Sequence, residues 1–144
     1  MKDCVIDASI AIKWVIEEEG TREALAIRAH HRLLAPDLLA AECANILWKK
    51  VRRGELSADE AQFAARLLQA AHIEFLPAHS LLEAATRLAI EIGHPAYDCL
   101  YLALAREQDC PFITADEAFI RAVCQKHPSA RGHRIMALIP ARSG

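Results

Sequence analysis

Short apolar runs that end at a proline or an acid and hand over to a helical segment recur along this 144-residue chain. That alternation restricts the fold more than any other feature. Cys4-Val5-Ile6 reads as a buried strand that ends in Asp7-Ala8-Ser9 and leads into a helix start at Ile10 to Trp14. A second strand, Arg32 to Pro36, is stopped by its proline, and Asp37 is a fitting N-cap for a long helix to about Arg53, closed by Gly54. Ile73 to Leu76, Pro111 to Thr114 and Ile135 to Ile139 supply three more strands. Between them stand helices at Thr21 to His30, from the Ser57-Ala58-Asp59-Glu60 capping box to Ala71, Ser80 to Ile92, Pro95 to Gln108 and Asp116 to Lys126. Strands alternating with helices through short loops specify an α/β fold, a parallel sheet covered by helices on both faces. One domain over residues 1–144 is expected.

Composition narrows the function classes. Hydrophobic residues at 53% and charged residues at 25% describe a packed globular chain, not a disordered one. A net charge of -2 gives no whole-molecule attraction for polyanions, so any nucleic-acid contact needs a local basic patch. The cysteines, at 4, 43, 99, 110 and 124, form no Cys-x-x-Cys pair and mostly sit in apolar runs, as reduced core thiols of a cytoplasmic protein would. Asp3 and Asp7 interrupt the N-terminus, so no signal peptide is expected, and no apolar stretch has the length of a membrane span. The glycines make neither a Gly-x-Gly-x-x-Gly nor a P-loop, which disfavours nucleotide cofactors.

The chemistry lies in acids that interrupt apolar surroundings. Asp7 and Asp116 follow strands directly, and Glu42 follows the second strand by about two turns of a helix whose stretch from Leu38 to Trp48 is otherwise nearly all apolar. Asn45 lies three residues on, on the same side. Asp98 is the single acid of the apolar helix Ala96 to Ala105. Each has an ordinary alternative: a buried salt bridge for Glu42, the helix dipole for Asp98, an N-cap for Asp116. Taken together they say more. The carboxyl ends of parallel strands are where α/β sheets bind ligands, and several carboxylates packed there cannot all stay ionised without a cation. An all-oxygen donor set selects Mg²⁺ or Mn²⁺, and such a site suits phosphodiester cleavage by an activated water.

At these residues the chain resembles the PIN-domain ribonucleases, and most closely the VapC-like toxins of toxin-antitoxin pairs. The likeness is carried by Val5-Ile6-Asp7-Ala8-Ser9, Glu42-Cys43-Ala44-Asn45, Tyr97-Asp98-Cys99-Leu100-Tyr101-Leu102-Ala103-Leu104-Ala105 and Thr114-Ala115-Asp116, with Arg52-Arg53-Gly54-Glu55-Leu56 as a fifth segment. The resemblance implies a PIN-like fold with strand order 3-2-1-4-5, a Mg²⁺- or Mn²⁺-dependent endoribonuclease site, and inhibition by a cognate antitoxin. It also implies a homodimer. On this reading Asp7, Asp98 and Asp116 hold the metal, Glu42 binds it or steers the attacking water, and Asn45 and Thr114 orient the carboxylates. In-line attack would leave 5′-phosphate and 3′-hydroxyl ends. Ser9 either holds a water or caps the following helix.

Lys49, Lys50, Arg52 and Arg53 form the dense basic cluster, with Lys13 shortly after the first acid. Lys49 and Arg52 continue the stripe begun by Glu42 and Asn45, so Lys13, Lys49, Arg52 and Arg53 are candidate contacts for RNA or for the antitoxin. The alternative is that the cations merely complement a helix C-terminus. Trp14 and Trp48 are expected in the core or at a dimer interface, and the histidines, at 30, 31, 72, 79, 94, 127 and 133, at surface or loop positions. Two other functions compete: a non-catalytic α/β interaction module whose acids only cap helices, and a phosphatase with an aspartyl nucleophile at Asp7. The second is weakened because Ser9 stands where such enzymes usually carry another acid.

Overall fold

In the computed structural model, residues 1–126 and 135–138 are described; His127, His133 and Ile139 lie outside them. The strands are β1 (Lys2–Ile6), β2 (His31–Pro36), β3 (Glu74–Leu76), β4 (Phe112–Thr114) and β5 (Ile135–Ala137). The helices are α1 (Ala8–Val15), α2 (Thr21–His30), α3 (Leu38–Arg52), α4 (Ala58–Ala70), α5 (Leu82–Ile92), α6 (Ala96–Glu107) and α7 (Glu117–Lys126). The strands form one sheet, every pair parallel, in the order β3-β2-β1-β4-β5 that the resemblance implies.

β1 is central: Val5 pairs with Leu34 on one side and Phe112 on the other. Cys4, Val5 and Ile6 are fully buried, which is why the strand is unbroken apolar sequence; a strand covered on both faces has no polar side to alternate. Helices α1 to α4 pack with one another and α5 to α7 form a second group, one on each face of the sheet. The core between them includes Ile10, Leu39, Tyr101, Leu102 and Phe119, each contributing roughly 1.5–3 kcal/mol by leaving water. Of the cysteines, Cys4, Cys43, Cys99 and Cys110 are buried and in no disulfide; burial pushes the Cys4 and Cys43 thiols up to about 12, so neither is a nucleophile. The chain leaves β1 toward β2 on one side and returns as β4 on the other. This switch point sets Asp7 and Asp116 at neighbouring strand ends.

Several local expectations change. Ser57 and Glu60 do form the reciprocal capping box of α4, but Asp37 leaves α3 uncapped and instead accepts from the Ala78 N–H at 3.1 Å. Pro95 precedes α6 in an extended conformation instead of opening it, and a 3-10 turn, Ala78–Leu81, leads into α5. Helix α3 is amphipathic, not enclosed: Leu39, Cys43 and Leu47 form its buried stripe, while Ala40, Ala41 and Ala44 are exposed and Trp48 is 54% exposed. Its alanines reflect helix propensity more than burial. Trp14 does lie in the core, its indole N–H donating to the Ala24 carbonyl at 2.9 Å.

Candidate active site

Asp7 ends β1 and caps α1, accepting from the Ile10 N–H at 3.3 Å. Two hydroxyls hold its carboxylate: Ser9 Oγ donates to Oδ1 and Thr114 Oγ1 to Oδ2, each at 2.5 Å. The same hydroxyls accept from the next turn. Ser9 takes the Ala115 N–H and Thr114 the Asp116 N–H, both at 3.0 Å. Ser9 is therefore not the cap of α1 but a bridge between the turn after β1 and the turn after β4. Asp7 is 6% exposed, and burial pushes its carboxyl up to about 6, with the Asp98 charge adding to the rise and the three hydrogen bonds opposing it.

Glu42 reaches the same rim from α3. The phenol of Tyr101 donates to Glu42 Oε1 across the fold. Burial raises the Glu42 carboxyl and the Asp98 charge raises it further, against the Tyr101 hydrogen bond. Tyr101 is fully buried, and burial followed by the Glu42 carboxylate holds its proton firmly on the phenol, so it acts as a fixed donor.

Asp98 sits in the first turn of α6, and His94, four residues earlier, lies with Nε2 2.6 Å from Asp98 Oδ2. Asp116 accepts from the Phe119 N–H at 3.0 Å and so caps α7. One ligand atom from each of His94, Asp98 and Asp116 lies within 4.8 Å of the others. Asp7 stands beside this group, linked to Asp98 through its charge and to Asp116 through Thr114.

This donor set fits a hard divalent cation. Three acids meet where burial already raises one of them, and a cation relieves the mutual repulsion that, among the described residues, no lysine or arginine is paired to offset. The His94 Nε2 is already engaged with Asp98 Oδ2, so the oxygens of the acids are the donors the ion would take. Asn45 is exposed one turn along α3 from Glu42, and among the described residues no hydrogen bond ties it to the acids.

The basic residues divide. Lys13, expected at a partner surface, is instead folded onto the Glu17-Glu18-Glu19 turn: Nζ lies 3.1 Å from Glu18 Oε1 and donates to the Glu19 carbonyl at 2.8 Å. Lys50 pairs with Glu18 at 3.4 Å and Glu55 at 3.6 Å. Lys49, Arg52 and Arg53 are exposed, with the Arg52 guanidinium 4.8 Å above the Trp48 ring. Trp48 is thus a surface residue: of its two expected places, core or dimer interface, the core is excluded.

Sequence reasoning passed over Tyr101 and His94. Tyr101 had a signal, standing three residues after Asp98 on the same face of α6; His94, before Pro95 and outside that helix, had none beyond its nearness in sequence. The assignment of histidines to surface positions hid the second.

Comparisons with known proteins agree with this geometry. The sequence profile described as PIN domain matches residues 4–123. The chain is 36% identical over 129 residues to Ribonuclease VapC3 of Pyrobaculum aerophilum, spanning 87% of this chain and 95% of that protein. It is 29% identical over 112 residues to VapC ribonuclease Mb0985 of Mycobacterium bovis, spanning 78% and 84%. In fold it is similar to the crystal structure of PAE2754 from Pyrobaculum aerophilum, with TM-score 0.64 and 21% identity over 84% of each chain. It is also similar to VapC20 of Mycobacterium tuberculosis, described as a sarcin-ricin loop cleaving toxin, with TM-score 0.63 and 15% identity over 83% and 95%.

Proposed function

The chain belongs to the PIN-domain family, and from that premise we propose that it is a metal-dependent endoribonuclease of the VapC type, the toxin of a toxin-antitoxin pair. The observation that carries the reading is the convergence of Asp98, Asp116 and a buried Asp7 of raised pKa at the adjoining ends of β1 and β4. A module whose acids only cap helices has no reason to bury one acid beside another at a cost to its own stability.

Asp7, Asp98 and Asp116 hold Mg²⁺ or Mn²⁺. When bound, the ion supplies a Lewis acid that lowers the pKa of water and neutralises charge on a phosphate. Thr114 and Ser9 fix the Asp7 carboxylate, so its orientation needs no rearrangement during the reaction. Glu42, oriented by Tyr101 and with its proton affinity raised by burial, steers the attacking water and takes up its proton. The products are a 5′-phosphate and a 3′-hydroxyl.

Lys49, Arg52 and Arg53, seven to eleven residues beyond Glu42 on the exposed side of α3, receive the RNA backbone or an acidic segment of the antitoxin. Leu82, Ile90 and Tyr97, all exposed, support a homodimer. Among the described residues no helix is long and apolar enough to cross a membrane, and the proposed place of action is the cytoplasm, where RNA is met.

The test is cleavage of a labelled, structured RNA by the purified chain freed of any partner, with Mn²⁺ or with EDTA, beside Asp7→Asn. Cleavage is expected only with metal and only in wild type. Two folded proteins that neither bind Mn²⁺ nor cleave would return the chain to the interaction-module reading.

A further inference from the structure

We propose that His94 is a positioning residue of the metal site, which with Phe119 locks Asp98 and Asp116 at the separation one cation requires. The inference rests on the metal-dependent reading above and concerns how that site is built.

Asp98 belongs to the first turn of α6 and Asp116 to the turn after β4, so the covalent chain does not fix the distance between them. A run of side-chain contacts does. The Phe119 N–H donates to Asp116 Oδ1 at 3.0 Å, the Phe119 ring lies 4.8 Å from the His94 ring at 46°, and His94 Nε2 meets Asp98 Oδ2 at 2.6 Å. An ionised carboxylate only accepts, so Nε2 carries the proton and donates it.

The clamp is itself held. Phe119 is fully buried and also packs against Phe112, with centroids 6.3 Å apart. The His94 N–H donates to the Ala89 carbonyl at 3.2 Å, next to Gly93, whose left-handed conformation (φ +71°) closes α5 and whose own N–H reaches the same carbonyl at 2.8 Å. Each acid is thereby oriented through one oxygen by a group that cannot move, and keeps the other oxygen for a cation.

Without the imidazole, two like charges on separate elements are free to move apart, and binding must draw them together again. Outer partners of this kind commonly change metal affinity by about 10- to 100-fold. Their effect is on the ion first and on turnover second.

The experiment measures Mn²⁺ affinity of the full chain by the loss of the free-ion EPR signal, for wild type, His94→Ala, His94→Gln and His94→Phe, with Asp98→Asn as control. Unfolding in EDTA checks that each variant folds. His94→Ala and His94→Phe are expected to weaken Mn²⁺ about 10-fold or more, Phe because it keeps the packing on Phe119 but cannot donate. His94→Gln, whose amide reaches as far as Nε2, is expected to restore most of the affinity.

Affinity unchanged in folded His94→Phe, while Asp98→Asn loses it, would overturn the clamp and leave the nuclease reading standing. A directly bonded nitrogen in the pulsed EPR spectrum of wild type, lost in His94→Gln, would overturn it in another way, by making His94 a ligand. A wild type that binds no Mn²⁺ would overturn both readings.

Discussion

Replacing the buried acid at the end of β1 by its uncharged isostere should make the metal-free protein more stable while destroying its function. Asp7 titrates near 6 in the folded chain against 3.8 for an ordinary aspartate, with burial the main cause. Because the folded pKa is raised, the folded state holds the extra proton. Stability from this group is whole below about pH 3.8 and is lost as pH rises through about 6. A difference of about two pH units corresponds to ~3 kcal/mol at pH 7.5, of which ~2 kcal/mol accrues between pH 4.5 and 7.5. Asp7→Asn removes that burden and gives back about 1 kcal/mol through poorer hydrogen bonds from Ser9 and Thr114. The expected gain is therefore ~2 kcal/mol at pH 7.5, or about 4–8 °C in Tm, falling to near zero at pH 4.5. Thermal unfolding in EDTA at the two pH values measures it, since titrations of groups remote from Asp7 cancel between the two proteins. Adding Mn²⁺ should reverse the order, because only the wild type gains stability by binding the ion. A variant less stable than wild type in EDTA at pH 7.5, or a gap that does not change with pH, would refute the argument.

Thr114→Val keeps the volume of a fully buried side chain but leaves the Asp116 N–H unpaired and Asp7 short of a donor. It should cost roughly 1–3 kcal/mol at pH 7.5 by urea unfolding, and less at pH 4.5, where a protonated Asp7 needs that donor less. Lys49→Glu together with Arg52→Glu should lower RNA affinity and flatten its dependence on salt by about two ions, read from filter binding in EDTA between 50 and 200 mM salt. Thermal stability should fall only slightly, through the lost Arg52–Trp48 contact and two acids at the C-terminal end of α3, about 1 kcal/mol in all.

The sheet was legible because its signals were redundant. Each of the first four strands is closed by Asp7, Pro36, Pro77 or Asp116, and the buried runs Cys4 to Ile6, Leu33 to Pro36 and Phe112 to Thr114 carry no polar alternation, while β3, an exposed edge, was marked by its proline. The order 3-2-1-4-5 was legible only through the likeness to a family, since periodicity does not say which strands are neighbours. Enclosure of α3 was misjudged for a definite reason. Alanine counts as apolar in a sequence but has too little surface to demand burial, so Ala40, Ala41 and Ala44 disguised a helix that buries one stripe. Trp48, expected in the core or at a dimer interface, lies outside the core under Arg52.

The acids were legible as isolated breaks in apolar sequence; what each faces was not, because the partners come from far along the chain. Tyr101 donates to Glu42 across 59 positions and Thr114 to Asp7 across 107. The cations show the functional weight of such long-range pairing. In sequence, Lys13, Lys49, Lys50, Arg52 and Arg53 look like one resource for binding a polyanion. In the fold, Glu18 draws Lys13 and Lys50 together from α1 and α3, so their charge is spent on closing the Glu17-Glu18-Glu19 turn. On the nuclease reading proposed above, an RNA approaching Glu42 along α3 would meet Lys49, Arg52 and Arg53 from that set, on a narrow strip of one helix. A strip that narrow can align a backbone with the acids but offers few contacts to the bases.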